Sequence, residues 1–184
     1  RKAAVKQIGK SKFNGTVVTF KLDAEIFKEG TEFSWDTVVS HLRQQAYLVK
    51  GLTINIIDAR GYAEKVELEG ETYLYDLGYE QPSQSFYFEG GLKSLVKHYN
   101  EFVKPIHKNI FYVEKEAEGV GVEIALQYID DLTTKIAAFA NNIPTAEGGT
   151  HVTGFKTSLT RLINAYARKN LILKQKDETL TGDD

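Results

Sequence analysis

"NNIPTAEGGTHVTGFKTSLTRLINAYAR", residues 141–168, joins two unlike pieces of chain. A polar loop with Pro144 and the Gly148–Gly149 pair comes first. Phe155, Leu159, Leu162, Ile163 and Tyr166 then recur at helical spacing and fall in a stripe about 100° wide. That stripe predicts a helix over about 152–170. Lys156, Thr157, Thr160, Arg161, Asn164 and Arg168 fall on a separate arc of the same helix. From Lys156 to Lys176 there are six Lys or Arg and no Asp or Glu. Cations, hydroxyls and amides are the groups that contact phosphate oxygens, so the arc is a candidate polyanion surface. A solvated face that simply lacks acids is the plain alternative.

Working upstream, three strands are predicted at 109–115, 120–128 and 135–142. The middle one alternates strictly: Val120, Val122, Ile124, Leu126 and Tyr128 face one way, and Gly121, Glu123, Ala125 and Gln127 the other. This is the pattern of a half-buried antiparallel strand. Before it, Leu92, Leu95, Val96, Tyr99 and Phe102 predict a helix over 91–102. Pro105 stops it, because proline cannot continue a helix and disfavours α geometry at Lys104. The second half thus reads helix, strand, strand, strand, helix: an α+β sandwich.

The first half reads as a different α/β layer. Residues 15–20 predict a strand with Thr16, Val18 and Phe20 on one face. "KLDAEIF" suggests a short turn with Asp23 as its cap. Val38, Leu42, Ala46 and Val49 predict a helix over 34–51, capped by Ser34 or Asp36 and ended by Gly51. A strand is expected at 52–58, a turn at "DARG", and a hairpin of 62–68 with 72–77. Residues 78–85 are the most loop-like stretch and the best linker. The domain boundary falls near Phe88, giving segments 1–88 and 89–184.

The totals set bounds. A chain of 184 residues, 42% hydrophobic and 26% charged, is an ordinary globular composition of one domain or two small ones. The net charge is −2, with 11 basic and 12 acidic groups before residue 89 and 12 and 13 after it, so only local charge can recruit a polyanion. No apolar run approaches a membrane span of ~20 residues. The absence of cysteine excludes disulfides, thiolate metal sites and cysteine nucleophiles, and fits a reducing compartment. With no methionine and Arg1 at its head, the sequence reads as a piece of a longer polypeptide.

Other chemistry is sparse. His41, His98, His107 and His151 lack metal-ligand spacing and read as structural or surface histidines, with His107 and His151 at element boundaries. No serine-nucleophile motif is present, and Asp130–Asp131 fall in a predicted loop. "EGGTH" before a helix has the form of an anion site, but without a G-x-x-x-x-G-K-[ST] pattern it reads as a tight turn and helix entry. No catalytic residue and no metal ligand is assigned.

Six segments together carry a resemblance: "GTVVTFKLDAEIF", "TEFSWDTVVSHLRQQAYLVKGLTINIID", "FEGGLKSLVKHYN", "KPIHKNIFYV", "GVGVEIALQY" and "FANNIPTAEGGTHVTGFKTSLTRLINAYA". In this order the chain resembles the B subunits of bacterial type IIA DNA topoisomerases, that of DNA gyrase first and that of topoisomerase IV second. The resemblance implies that 1–88 is the C-terminal portion of a Bergerat-type (GHKL) ATPase α/β sandwich. It implies that 89–184 is the start of a ribosomal-protein-S5-domain-2-like transducer, an α+β sandwich. It also implies ATP binding at Thr16, through a polar network around adenine, and at Val18, in its apolar wall. Lys156, where arginine is usual, and Arg161 on the same arc are the DNA-binding expectation. ATP and Mg2+ are the implied cofactors of the longer parent. DNA, the topoisomerase A subunit and a second copy of the B subunit are its implied partners, in the cytoplasm and with no membrane. The fragment by itself is expected not to hydrolyse ATP. Two features depart from the family: Ile129 and Asp131 stand where asparagine and glycine are common, and residues 63–85 are longer than the bare hairpin of many relatives. A stand-alone nucleic-acid-binding or ribosome-associated module without ATP coupling is the rival from another class. A small-molecule kinase half-domain is a third reading that no glycine-rich phosphate loop supports.

Overall fold

Ser34 starts the first helix by chemistry that its sequence advertises. Its Oγ accepts the Thr37 N–H at 3.3 Å and the Thr37 hydroxyl at 3.0 Å, satisfying a donor that the helix cannot. The computed structural model describes residues 4–5, 7, 9–10, 12, 14–20, 22–28, 30, 32–60, 83–174 and 176–182. The chain divides into two units, Arg1–Val38 and Val39–Asp184. Helix α1, Trp35–Leu48, begins in the first and continues into the second.

Within the first unit Asp23 makes the expected turn. Its Oδ1 accepts the Glu25 N–H at 2.9 Å, and its carbonyl accepts the N–H groups of Ile26 and Phe27. The Phe20 ring meets Phe33 edge-on at 5.2 Å. The strand predicted at 15–20 does not form. This stretch has no ladder partner among the described residues, and its Val17, Val18 and Phe20 are exposed. Alternation specifies a face, but a strand persists only when neighbouring strands take up its backbone groups.

In the second unit α1 buries Val39, Ala46 and Tyr47. This face is turned by about one position from the predicted Val38–Leu42–Ala46–Val49 stripe, and Val49 is exposed. Aromatic packing explains the turn: Arg43 sits 5.3 Å from the Phe86 ring, and Tyr47 stacks on Phe88. Gly51, at φ +76°, ends the helical segment as its sequence predicts. Strand β1, Thr53–Ile57, then pairs antiparallel with β2, Ser83–Tyr87. Ile54 faces Phe86 and Ile56 faces Gln84, so buried Ile56 and Phe86 share the side toward α1. The linker expected at 78–85 is therefore corrected at its end: Ser83–Ser85 belong to a strand. The Ser85 hydroxyl donates to Asn55 Oδ1 at 2.6 Å across the pair, so a polar edge replaces the apolar signal. The hairpin predicted at 62–77 lies outside the described residues.

Helix α2, Leu92–Tyr99, is shorter than the predicted 91–102. Asn100 caps it, the Val103 N–H turns back to the Asn100 carbonyl, and Phe102 is 93% exposed rather than on the buried stripe. Strands β3, Phe111–Ala117, and β4, Val120–Leu126, form an antiparallel hairpin with Phe111 opposite Leu126 and Glu114 opposite Glu123. The alternation is as predicted, but the covered face is the polar one. Tyr112, Glu114 and Glu123 meet Lys50, whereas Phe111, Val120 and Val122 are exposed.

The third predicted strand, 135–142, is corrected to a small hairpin. Only β5, Phe139–Ala140, is extended, and it pairs with β6, Ile143–Pro144. Asn141 and Asn142 between them take φ +48° and +66°. Two consecutive left-handed residues reverse the chain, and asparagine tolerates that geometry better than most. Helix α3, Thr150–Lys169, follows. Ala167 is its buried residue, while Leu162 and Tyr166 of the predicted stripe are exposed. Mixed helix and sheet make the chain α+β. Among the described residues no helix is long and apolar enough to cross a membrane.

Candidate functional site

Helix α3 is entered through a glycine turn. Gly148 and Gly149 take φ +80° and +150°, a region that L side chains rarely adopt. A Cβ on Gly149 would fall 2.9 Å from the His151 ring, so glycine is needed for both conformation and space. The Gly148 N–H donates to the Thr145 carbonyl at 2.9 Å, and His151 Nε2 lies 3.2 Å from Thr145 Oγ1. "EGGTH" is the tight helix entry that its sequence suggests, with His151 part of the turn.

Lys156 and Arg161 are both exposed, and neither has an ion-pair partner among the described residues. Lys156 lines a groove of about 440 Å³ with Gln44, Phe139, Glu147 and Gly149. Arg161 stands on an open face of α3 with Thr150, Thr153, Thr157 and Ser158. That face joins a cation to hydroxyls, which suits phosphate oxygens. The Lys156 groove contains an acid, Glu147, from the loop that precedes the helix.

The C-terminal end of the arc is committed elsewhere. Arg168 donates to the carbonyls of Lys174 and Asp177 at 3.0 and 3.2 Å. Asn164 donates to the Leu180 carbonyl and accepts the Leu180 N–H, both at 2.9 Å. The chain after α3 thus folds back over one end of the predicted arc. Backbone groups are the partners, and no side-chain pattern announces them.

Thr16 and Val18 lie in the first unit, both exposed, on the stretch without a ladder. Among the described residues no three His, Asp or Glu group as metal ligands.

His107 is held as a structural group. His107 Nδ1 lies 2.7 Å from the Asn109 carbonyl, and its Nε2 accepts the Tyr128 N–H at 3.0 Å. Together these fix a neutral ring that carries its proton on Nδ1. Gln127 adds a bond to the His107 carbonyl, and the Ile106 N–H donates to the Tyr128 carbonyl.

A second polar centre has no counterpart in the sequence pattern. Lys50 Nζ lies 2.8 Å from Glu114 Oε2 and 3.3 Å from Glu123 Oε1, and it donates to the Tyr112 hydroxyl. The Tyr112 oxygen lies 2.7 Å from Glu114 Oε2 and 2.9 Å from Glu123 Oε1, and its one proton serves one of them at a time. Lys93 Nζ lies 4.6 Å from the Tyr112 ring centre. The Glu114 hydrogen bond raises the Lys50 pKa, and Lys50 in turn lowers that of Glu114. Burial and the adjoining carboxylates push the Tyr112 hydroxyl up to about 12. In sequence Tyr112 stands 62 positions from Lys50, with both acids further on, and nothing local links them.

The fold and the helix entry define a class: mixed α+β chains whose solved counterparts are gyrase B structures. The 43K ATPase domain of Thermus thermophilus gyrase B, solved with an aminocoumarin, superposes with a TM-score of 0.66 at 29% identity, over 88% of this chain and 38% of that one. The B-subunit of the DNA gyrase from Myxococcus xanthus shares the fold at 21% identity with a TM-score of 0.63, over 79% of this chain and 36% of its own. The family model described as DNA gyrase B matches residues 91–184. The DNA gyrase B subunit of Bacillus mycoides is 43% identical over 99% of this chain and 41% of its own length. That of Halalkalibacterium halodurans is 44% identical over 99% of this chain and 26% of its own. The chain belongs to the DNA gyrase B family. It spans less than half the length of these relatives.

Proposed function

We propose that this chain is the part of a gyrase-type B subunit that joins an ATPase segment, 1–88, to a transducer segment, 89–184. The whole subunit, with ATP and Mg2+, an A subunit and a second copy of itself, would then pass one DNA duplex through another. The family model's start at Gly91 supports this boundary. The contact division at Val38/Val39 falls elsewhere, inside α1.

In this reading Lys156 and Arg161 hold DNA by its phosphates. The observation that carries it is the acid-free surface of α3, on which both cations stand exposed and without ion pairs among the described residues. Phosphate contact is electrostatic and independent of sequence, and it tolerates lysine where a bidentate base contact would need arginine. Thr16 and Val18 contribute one wall of the adenine site. The chemistry of ATP cleavage belongs to the complete subunit, and the isolated chain is inactive.

The experiment is ATP turnover by a complete B subunit that carries this segment, assembled with its A subunit, with and without linear DNA. Stimulation by DNA of any sequence is the expected result. Turnover indifferent to DNA would refute the coupling.

A further inference from the structure

Three contacts of the α1 segment follow the junction between the segments in register. Arg43 lies over Phe86, Tyr47 stacks on Phe88, and Lys50 crosses Gly91. The last is the closest: a Cβ on Gly91 would fall 2.7 Å from Lys50 Cγ and 3.0 Å from Lys50 Cε. Gly91 is the N-cap of α2, at φ +54°. The stem of Lys50 therefore lies on the start of α2 while its ammonium group enters the Tyr112–Glu114–Glu123 cluster on the β3–β4 hairpin. Lys93 from α2 reaches the same tyrosine ring. One side chain, just past the end of α1, touches the cap of α2 and both strands of the hairpin.

We propose that Lys50 is a positioning residue, a latch that holds the β3–β4 hairpin to the α1–α2 junction so that displacement of one is carried to the other. This rests on the reading that 1–88 and 89–184 are coupled ATPase and transducer segments. A single partly exposed ion pair contributes little. Lys50 differs in joining two carboxylates, a hydroxyl and a packed stem at once. Groups that share a network couple non-additively, which is the property a relay requires. The latch acts through geometry and touches no nucleotide or DNA.

The test uses a complete B subunit carrying this segment, assembled with its A subunit. ATP turnover is measured with and without linear DNA for the wild type, Lys50→Met, Lys50→Arg, Glu123→Gln, and Lys50→Met with Glu123→Gln. Methionine keeps a stem over Gly91 and removes the charge. The expected result for Lys50→Met is unstimulated kcat and KM near wild type, with the stimulation by DNA reduced about fivefold, a typical coupling between sites. Lys50→Arg restores the stimulation, and the double variant is no worse than Lys50→Met. If Lys50→Met fails to fold by thermal melting, Glu123→Gln carries the test and loses stimulation alone. A stimulated wild type whose folded Lys50→Met and Glu123→Gln variants keep full stimulation, or whose losses simply add in the double variant, overturns the latch. A wild type that DNA does not stimulate overturns the coupling reading itself and the latch with it.

Discussion

Tyr47 and Phe88 lie ring on ring, with centroids 3.7 Å apart and planes 15° apart. Tyr47 is 6% exposed, so the pair joins α1 to the chain that leads into α2 through buried surface. Truncating it leaves a void that the neighbours fill only in part. Tyr47→Ala costs about 3 kcal/mol, and Tyr47→Phe less than about 0.5 kcal/mol. Urea titration checks this: the midpoint falls for alanine at an unchanged slope.

The Lys50 cluster sets a pH window. Glu114 has a lowered folded pKa, so its contribution is present above the unfolded value of about 4.3 and is lost as pH falls below it. Lys50 and Tyr112 have raised folded values, so the folded state retains protons that the unfolded state releases above about pH 10, and stability falls there. The stability difference between wild type and Lys50→Met is therefore largest between these limits and shrinks on both sides. Thermal melting across about pH 3–11 measures it, and a pH-independent difference would contradict the assignment.

Gly149→Ala strains the helix entry. The residue sits at φ +150°, and its new Cβ meets the His151 ring. The expected loss is about 1–3 kcal/mol. Pairing the change with His151→Ala relieves the clash but not the dihedral strain, so the double variant recovers only part of the loss. Equilibrium denaturation of the three variants separates the two effects.

How much of this was legible in the sequence depends on what each signal measures. Ser34, Asp23 and Gly51 act through their own backbone neighbourhood, and each is found in the role its type predicts. The family, and with it the α+β class, was legible in the spacing of six segments. Pairing was less so. Residues 15–20 alternate well but have no ladder among the described residues, while "SQS" at 83–85 alternates poorly and is paired. The pattern reads as one strand through 135–142, a reading that misses the left-handed Asn141–Asn142 pair that reverses the chain. Periodicity located the faces of β4 and α3 but not what covers them. Lys50 covers the polar face of β4, and backbone carbonyls of the tail take up Arg168. Such partners are set by tertiary path and leave no local trace.

Thr16 is the expectation for adenine. In a complete B subunit carrying this segment, Thr16→Ala weakens nucleotide binding by about 1 kcal/mol, roughly fivefold in Kd, the usual worth of one hydrogen bond. Thr16→Ser retains it. Calorimetric titration with a non-hydrolysable ATP analogue is the check, and equal Kd values for all three proteins would remove Thr16 from the site.

The central claim is that α3 presents its cations to DNA, and the salt dependence of DNA binding by a complete B subunit carrying this segment tests it most directly. Lys156→Ala removes no buried apolar group and leaves stability within about 0.5 kcal/mol. If Lys156 contacts a phosphate, the slope of log affinity against log salt becomes shallower by about 0.9, equally for unrelated DNA sequences. Arg161→Ala does the same, and the two changes add because the cations share no partner among the described residues. A folded Lys156→Ala, Arg161→Ala double variant that keeps the wild-type slope would reduce this surface to a solvated helix face.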